Sequence, residues 1–343
     1  MAPTYYTTAQ VVAAAEALDR FTPWLRNTFF GNVVQFDTKE ILFDKLGRRR
    51  KIAPFVSPNV PGKERELRGR EVRVYAPPYI KVKGGLDPSD AVARQVGEAY
   101  GGAFSMLDRY DQLVMQTLAD HDEEITGREE LMCATALRTG TLTVLGDGIS
   151  DTLDYHRHAD LTEALTTTAR WGETDVAPLD DVRSWARLVA QKSGAVVRDV
   201  VLGFGAAEIF TKDEDVREIL DNRRQAGGEM QLGGFASGGL DDVARFIGTI
   251  DGNLRFWEYT QTYEDDAETV HHYWPEFGCG LVAPQMRGTM TYGAILDVKS
   301  LKSEQRFAKQ YEEDDPSREV ILTQSAPLPV PVEPDASFFA SVR

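Results

Sequence analysis

Cysteine is scarce in this chain: Cys133 and Cys279 are the only two among 343 residues. Two isolated cysteines form neither a disulfide framework nor the paired spacing of a zinc site. Long apolar runs are also missing, since no segment reaches the roughly 18 residues that a membrane-spanning helix needs. Residues 1–6 lack the positive charge and apolar core of a signal peptide. We therefore expect a protein that is made and assembled in a reducing cytoplasm, with no membrane partner.

Positive charge is in the minority, because 38 Lys and Arg residues stand against 54 Asp and Glu residues, for a formal net charge of -16. Nucleic-acid affinity comes mainly from Lys and Arg that displace counterions, so such a chain is a poor nucleic-acid binder. The one concentrated basic run is Arg48, Arg49, Arg50 and Lys51. A solvated hairpin tip is the favoured interpretation; a phosphate site and a docking patch for an acidic neighbouring subunit stay open.

Familiar catalytic motifs are absent from the sequence, which has no Gly-x-Ser-x-Gly elbow, Walker loop or His-Glu-x-x-His. Gly203-Phe204-Gly205 lies where a dinucleotide-binding fingerprint would lie. Glu208 replaces the third glycine, however, and its charge would repel a pyrophosphate. A plain strand-to-helix turn is therefore the favoured interpretation.

Histidine is also rare, with five in the whole chain. His156 and His158 lie in a polar segment without a matching second cluster, and His271 and His272 would point to opposite faces of a strand. Solvated or structural histidines are favoured over metal ligands. We expect no catalytic residue, no metal and no cofactor.

The longest regular signal is a helical period over residues 104–139, flanked by Gly101-Gly102 and Gly140. An unbroken helix of that length would measure about 54 Å. Gly127 falls opposite the apolar stripe and costs about 1 kcal/mol relative to alanine, so we expect a bend or a break there. We interpret the helix as a strut on which other elements are mounted. The apolar stripe comprises Leu107, Tyr110, Val114, Leu118, His121, Ile125, Met132 and Ala136.

Residues 36–87 contain strand patterns at 39–44 and 70–75, many prolines, and few apolar side chains that could form a core. A connection of this length is far beyond the usual 4–6 residues or so, which indicates a functional arm or partial disorder. The aromatic side chains that precede this segment, including Trp24, Phe29 and Phe30, must be shielded from solvent. Burial in the chain's own core is the default, and cover by a neighbouring subunit is the alternative.

Residues 180–300 alternate helix and strand patterns and predict an α+β or α/β module. Asp251-Gly252 is a hairpin turn signal. Gly146-Asp147-Gly148 suggests another hairpin, whereas residues 151–168 show no clear pattern. Within the module we predict helices at 180–191, 208–224 and 240–247, a buried strand at 195–202, a glycine-rich loop at 227–239, and strands at 254–263 and 271–273.

Several segments, in order along almost the whole chain, resemble the major capsid protein E family of lambda-like tailed phages. The most specific is the run 315–320 with 324–328 and Pro334-Asp335. The basic run at 48–51 and the glycine-rich stretch 227–239 depart from the family. The other similar segments are Tyr6-Thr7-Thr8-Ala9-Gln10, Leu25 to Phe30, Phe36 to Glu40, Val56-Ser57-Pro58-Asn59-Val60-Pro61-Gly62, Pro78-Tyr79-Ile80-Lys81 and Leu220-Asp221-Asn222-Arg223-Arg224.

This resemblance implies the Hong Kong 97-type capsid fold, an α+β fold with an N-terminal arm, an extended loop called the E-loop, a peripheral domain built on a long spine helix, and an axial domain. The corresponding divisions are the arm at 1–35, the E-loop at 36–87, the peripheral domain at 88–178 with its spine helix at 104–139, the axial domain at 179–300, and a C-terminal return strand and tail at 301–343.

The resemblance further implies a major capsid protein that assembles through pentamers and hexamers into an icosahedral virion shell. Its partners would be copies of itself, a scaffold protein, a portal protein and a decoration protein, and it would enclose double-stranded DNA without sequence-specific binding. The alternatives are a soluble nucleotide-binding enzyme acting through Gly203 and Gly205, and a ring-forming head-completion or tail protein. The candidate inter-subunit contact residues are Trp24, Phe29, Phe30, Arg48, Arg49, Arg50, Lys51 and Phe55.

Overall fold

The computed structural model describes residues 22–46, 70–87, 105–146, 148–219, 243–265, 267–300, 303–314 and 317–343, together with positions 55, 57–59, 61, 89 and 92. Within these residues helices and sheets are mixed in an α+β arrangement, and no helix is long and apolar enough to cross a membrane. The helices are α1 (Trp24–Phe29), α2 (Met106–Thr139), α3 (Pro178–Ser193) and α4 (Phe204–Lys212), with 3-10 turns at Ala159–Leu161, Thr167–Ala169, Pro284–Met286 and Pro334–Ala336.

Among the residues that the structure describes, the strands form one sheet of six strands, two sheets of three and three sheets of two. In chain order they are β1 (Asn32–Gln35), β2 (Ile41–Leu46), β3 (Arg70–Tyr75), β4 (Ile80–Leu86), β5 (Thr141–Gly146), β6 (Ile149–Asp154), β7 (Thr162–Ala164), β8 (Asp199–Leu202), β9 (Ala244–Ile250), β10 (Leu254–Tyr259), β11 (Thr262–Glu264), β12 (Val270–His272), β13 (Gly278–Val282), β14 (Gly288–Tyr292), β15 (Phe307–Asp314), β16 (Ser317–Ser325), β17 (Pro327–Pro331) and β18 (Ser337–Ser341).

The long helix α2 confirms the predicted spine, with 34 residues and a length of about 51 Å. Ser105 and Asp108 form a capping box at its start, and Gly140 ends it in the left-handed conformation with φ 69°. The helix continues through Gly127, so the expected break there is wrong. A Cβ at Gly127 would lie 2.8 Å from the hydroxyl oxygen of Tyr273. The missing side chain therefore lets that tyrosine pack against the helix.

The predicted stripe of α2 is buried at six of its eight positions, from Val114 to Ala136. Leu107 is exposed and Tyr110 is half-buried, because the first turns extend past the main core. The N-terminal half packs on the three-stranded sheet β15-β16-β4, where Val114 and Leu118 meet Ile321. The C-terminal half joins a larger core with α1 and β17. The helix thus connects two separate apolar clusters, as a strut would.

The six-stranded sheet has the order β7-β18-β13-β8-β10-β9. Helices α3 and α4 pack on it through stacked aromatic rings: the Trp185 and Phe338 centroids lie 5.1 Å apart, and those of Phe210 and Phe256 lie 4.6 Å apart. Every residue of β8 and β13 is buried, as expected of central strands covered on both faces. Strand β8 confirms the buried part of the predicted 195–202 strand, and α3 confirms the predicted helix at 180–191.

Strand β9 corrects the sequence expectation, because residues 240–247 were predicted to be helical. Residues 244–250 pair antiparallel with β10 through the turn at Asp251-Gly252, where both residues have positive φ, 54° and 80°. This is the hairpin turn that the dipeptide predicts. Phe246 then stacks on Trp257 with ring centroids 4.9 Å apart. Pairing with a neighbouring strand outweighs the weak local helical pattern.

Two further sequence expectations are revised. The predicted helix at 208–224 begins earlier, as α4, and is interrupted at Asp213, whose carboxylate accepts the backbone N–H of Val216 before a second helical stretch over 214–219. The segment without a clear pattern contributes β6 and β7, and β5 with β6 forms the predicted hairpin. The glycine-rich loop predicted at 227–239 lies outside the described residues.

The pair β2–β3 lies within the predicted E-loop range and forms a two-stranded hairpin that pairs with no other strand of the described residues. Ile41 and Tyr75 anchor its base in the core. Leu42 and Val74 are cross-strand partners and are 61% and 52% exposed. Beyond Tyr75 the chain continues into β4, which lies beside β16 along the first half of α2. The hairpin therefore leaves the subunit body with one apolar pair uncovered.

Candidate functional site: a buried ionic cluster and an exposed hairpin

Helix α2 carries two adjacent carboxylates, Glu129 and Glu130, that are completely buried. Buried carboxylates need charged or hydrogen-bonding partners, because burial without them costs several kcal/mol. Both residues have such partners, and the partners come from distant parts of the chain. Together they form a cluster, here called the ionic cluster, of Arg26, Asp122, Glu129, Glu130, Tyr259, Tyr292 and Arg306.

Glu129 binds two arginines. Its Oε1 lies 2.6 Å from Nη1 of Arg306 and accepts the Tyr292 hydroxyl at 3.1 Å. Its Oε2 lies 3.3 Å from Nε of Arg26. Arg306 also donates to Asp122 at 2.8 Å. Burial disfavours the charged guanidinium of Arg306, yet Glu129 and Asp122 keep its pKa above the usual range.

Glu130 serves as a tertiary cap for helix α1. That helix begins after Pro23, which supplies no capping side chain, so its first N–H groups lack local partners. Glu130 accepts the backbone N–H of Leu25 at 2.7 Å and that of Arg26 at 2.9 Å. It also accepts the Tyr259 hydroxyl at 2.7 Å. Burial raises the pKa of Glu130 although these hydrogen bonds oppose the rise.

The ionic cluster therefore fastens four parts of the chain to the stretch of α2 from Asp122 to Glu130, about two helical turns. These parts are α1, the end of β10, the end of β14 and the residue before β15. Its carboxylates and guanidinium groups pair with one another as ions, although Arg26 Nε and Glu129 Oε2, 3.3 Å apart, do not reach hydrogen-bond geometry. Such an arrangement stabilises one relative position of the four segments; it is structural chemistry and contains no nucleophile with an activating base.

The N-terminal aromatic residues belong to the subunit's own core. Phe30 is completely buried and Phe29 almost so. Trp24 is half-buried and stacks on Tyr259, with centroids 5.6 Å apart, and also packs against Trp257 at 5.4 Å. Packing within the chain leaves Phe29 only 8% and Phe30 0% exposed, which agrees with burial in the chain's own core, the default interpretation. Their selection as inter-subunit contact residues stays a prediction.

The remaining candidate contact residues lie within the predicted E-loop range, residues 36–87. Phe55 is fully exposed. Arg48, Arg49, Arg50 and Lys51 lie outside the described residues.

The glycines of Gly203-Phe204-Gly205 are required by packing within the chain. A Cβ at Gly203 would lie 2.0 Å from the carbonyl oxygen of Pro275, and one at Gly205 would lie 2.6 Å from the Phe277 ring. The segment 275–277 fills the space that a pyrophosphate would need. The geometry is that of a plain strand-to-helix turn, as favoured from the sequence.

The polar segment at 156–158 supports the end of α2. Arg157 donates to the carbonyl oxygens of Leu137 and Arg138, both at 2.5 Å, and to Thr162 at 2.6 Å. Burial lowers the pKa of Arg157 to about 10. His156 lies beside Asp154, and His158 caps the short turn at 159–161. The guanidinium satisfies carbonyls that the helix end leaves unpaired.

Sequence reasoning missed the ionic cluster. A usable signal was present, because Glu129 lies four residues after Ile125 and three before Met132, and therefore on the apolar face of α2. A carboxylate within an apolar stripe indicates a buried charge with a partner. The identity of the partner, Arg306, could not be read locally, since it lies 177 residues away.

Buried ionic contacts hold the long helix α2 to α1 and to the ends of β10 and β14, and the uncovered β2–β3 hairpin leaves this body. This architecture is that of a structural subunit of the Hong Kong 97-type. The crystal structure of a prophage capsid protein from Escherichia coli CFT073 is similar with a TM-score of 0.75 at 21% identity, covering 99% of this chain and 100% of that one. The capsid protein of Ralstonia phage GP4 has a TM-score of 0.52 at 11% identity, over 100% and 91%. At these identities the likeness shows the fold, and it confirms the expected fold class.

The chain belongs to the phage major capsid protein E family, whose family model matches residues 7–342. The major capsid protein of Escherichia phage N15 is 27% identical, and that of Escherichia phage lambda is 26% identical; each comparison covers 98% of both chains. The family consists of structural capsid proteins and is not known to be enzymatic. The chain is thus a major capsid protein of a tailed phage, a component of the virion shell, and the nucleotide-binding alternative is unsupported.

Proposed function

We propose that this subunit assembles through pentamers and hexamers into an icosahedral shell around the double-stranded DNA of a tailed phage. The observation that carries the proposal is the β2–β3 hairpin. It projects from the subunit body, and its cross-strand partners Leu42 and Val74 are exposed to solvent. An exposed two-stranded ribbon is marginal by itself and gains stability when another surface covers it. Neighbouring copies are the partners that a shell supplies.

The domain division expected from the sequence stays a proposal: arm at 1–35, E-loop at 36–87, peripheral domain at 88–178, axial domain at 179–300 and C-terminal segment at 301–343. The continuous helix α2 supports the peripheral assignment, and the six-stranded sheet supports an axial body. That sheet also includes β7 and β18, which lie outside residues 179–300. The return of β18 would tie the axial and C-terminal parts together.

Further partners follow from this role. A scaffold protein and a portal protein would guide closure in the host cytoplasm, and a decoration protein would bind outside. The acidic subunit, with a formal charge of -16, would enclose DNA without sequence-specific binding and without strong adhesion to phosphate. The proposed contact residues are the exposed part of Trp24 in the arm, and Phe55 with the basic run Arg48 to Lys51 in the E-loop.

Sedimentation combined with limited proteolysis tests the proposal. The protein is expressed alone and with the neighbouring phage genes, and particles are separated from unassembled subunits by velocity sedimentation. We expect rapidly sedimenting particles in which the 41–75 segment resists protease, whereas the same segment is cleaved first in unassembled subunits. Equal cleavage in both fractions would argue against burial of the hairpin by neighbours. Slow sedimentation under both conditions would argue against shell formation.

A further inference from the structure

A groove of about 740 Å³ lies between the C-terminal half of α2 and the β5–β6 hairpin. Apolar side chains from four segments line it, namely the start of β4, α2, the hairpin and the loop after β14. Three of these side chains, Leu145, Ile149 and Leu296, are 75%, 43% and 66% exposed. Contiguous exposed apolar side chains beside a cavity mark a surface that another protein covers. We call it the apolar groove.

The walls of the apolar groove are held in place by the subunit itself. On one side the backbone N–H of Leu296 donates to the Tyr79 hydroxyl at 3.1 Å, and that hydroxyl donates to Gln324 at 2.7 Å. On the other side the stem of the β5–β6 hairpin is fixed by Leu142 and Leu153, a cross-strand pair that is buried in the core. The groove is therefore formed before an occupant arrives, so binding does not have to order it.

One border of the apolar groove is positively charged. Lys81 and Arg128 are exposed there, and the described residues that line the groove include no carboxylate. Neither cation forms an ion pair with a carboxylate in the described part of the chain. A neighbouring cavity beyond the two cations is acidic, with Glu123 and Glu264 in its lining. The favoured occupant is therefore apolar, with a carboxylate that stops at Lys81 and Arg128.

The β5–β6 hairpin has this composition. Leu145 and Ile149 flank its tip, and the exposed carboxylate of Asp151 follows two residues after Ile149, about 7 Å along the strand. This spacing fits within the helical wall of the groove, which measures about 10 Å from Arg128 to Thr135. Residues 141–155 contain no lysine or arginine that the two cations of the groove would repel.

A subunit does not fill the apolar groove with its own hairpin tip, because Leu145 and Ile149 form one wall of the groove and are still exposed. The tip and the groove adjoin each other on the same subunit. A twofold rotation can therefore place the tip of each copy in the groove of the other, and such a contact closes after two copies. It does not continue around a pentamer or hexamer, so it would join subunits of adjacent capsomers.

We infer that two copies of this chain dock their β5–β6 hairpins reciprocally across a twofold axis, with Leu145 and Ile149 of each copy in the apolar groove of the other and Asp151 beside Lys81 and Arg128. This inference rests on the proposed shell, and it adds a surface that joins one capsomer to the next. The apolar contact holds the two copies together, and the charge pairing fixes their register.

A charge exchange tests the inference. The groove variant is Lys81→Glu with Arg128→Glu, the hairpin variant is Asp151→Lys, and a third protein combines the three substitutions. We expect the groove variant and the hairpin variant each to lower the yield of shells by about tenfold or more, and the combination to restore most of it, because opposite charges face each other again. The matched control is Arg187→Glu with Arg217→Glu, two exposed cations outside the groove, which should leave the yield unchanged.

A cross-link between two different proteins gives the second measurement. Arg128→Cys and Asp151→Cys are made as separate proteins and co-expressed, so that any disulfide between the two positions joins two copies. Mild oxidation of the mixed shells should produce a covalent dimer, and shells of either protein alone should produce much less. The native Cys133 and Cys279 are buried and do not compete.

The protein that carries both cysteines separates a twofold contact from a ring contact. Its oxidised shells should yield covalent dimers, because a reciprocal contact closes after two copies. A ladder of larger multimers, mixed shells without the dimer, a cross-link only to a different protein of the shell, or a combined charge variant no better than the groove variant would overturn the inference and leave shell formation intact. A wild-type protein that forms no shells would overturn the proposed function together with the inference.

Discussion

The guanidinium of Arg306 lies 2.6 Å from the carboxylate of Glu129, and the two side chains are only 10% and 0% exposed. They join the segment before β15 to the middle of α2, across 177 residues of sequence. A pair buried to this extent gains little over a well-packed apolar pair, but removal of one partner is costly because the other charge stays buried. Glu129 and Asp122 both accept hydrogen bonds from this arginine, so both buried carboxylates would lose a positively charged partner without it.

Replacement of the arginine by a side chain of similar length, Arg306→Met, should therefore lower the free energy of unfolding by about 3–5 kcal/mol. Urea denaturation of the unassembled subunit measures it. Arg183→Met is the matched control, since Arg183 pairs with Asp251 at 2.8 Å where the two side chains are 32% and 40% exposed. We expect a loss below about 1 kcal/mol there. Equal losses in the two variants would contradict the importance assigned to the ionic cluster.

A methyl group at Gly203 should be poorly tolerated. Its Cβ would lie 2.0 and 2.4 Å from the backbone carbonyl oxygens of Pro275 and Glu276, which cannot rotate away. We expect Gly203→Ala to destabilise the subunit by about 3 kcal/mol or more. In Gly146→Ala the new methyl group meets nothing within 4 Å, so the change should stay within about 0.5 kcal/mol. Thermal unfolding of the two variants separates these outcomes; similar melting temperatures would refute the packing argument.

Asp297 should contribute to stability in a pH-dependent manner. Its carboxylate accepts hydrogen bonds from Lys309, from the backbone N–H of Lys299 and from Gln324. The Lys309 hydrogen bond is the main cause that lowers the pKa of Asp297 from 3.8 to about 2. A carboxyl whose pKa is lower in the folded state binds fewer protons there than in the unfolded chain. Its stabilisation is therefore complete above pH 3.8 and is lost as the pH falls towards 2.

The variant Asp297→Asn should accordingly be less stable than the wild type at pH 6, and the difference should shrink as the pH falls from 3.8 to 2. Urea midpoints measured across this interval provide the test. Glu173→Gln, which removes an exposed carboxylate, serves as the control for loss of one negative charge. A difference between wild type and Asp297→Asn that stays constant from pH 6 to pH 2 would contradict the assignment.

The apolar pair of the hairpin should matter for assembly and little for folding. Because Leu42 and Val74 are 61% and 52% exposed in the subunit, the combined variant Leu42→Ser with Val74→Ser should change the free energy of unfolding by less than about 1 kcal/mol. If neighbours cover the pair, the yield of shells should fall by about tenfold or more, since about 2 kcal/mol of apolar burial would be lost at each contact. Val196→Ser is the matched control, because it removes an apolar side chain that is 59% exposed and lies outside the hairpin. An undiminished yield in the double variant would rule out the hairpin as an interface.

The strongly periodic and well-capped elements could be predicted from the sequence. Helix α2 was expected over residues 104–139 and spans 106–139, because its apolar period is long and Gly140 favours a left-handed cap. Strand β3 was expected at 70–75 and has those bounds. The turn at Asp251-Gly252 also followed from its residues. In these cases the local sequence contains the determining physical signal.

Elements whose stability depends on remote partners could not be predicted in this way. Strand β9 is defined by its pairing with β10, and its own sequence was compatible with a helix. Burial of Glu130 depends on the N–H groups of α1, 105 residues away at Leu25. Gly127 looked like a helix breaker until the position of Tyr273 explained it. The periodicity of a sequence identifies which face of a helix or strand is buried. It does not identify which distant charged group or aromatic ring packs against that face.

Electron microscopy of the protein expressed alone and with its neighbouring phage genes tests most directly whether this subunit builds a shell. We expect closed particles tens of nanometres across, with fivefold and sixfold capsomers whose density accommodates α2 and a hairpin that lies over the adjacent subunit. Single closed rings, or uniform monomers under both conditions, would contradict the account.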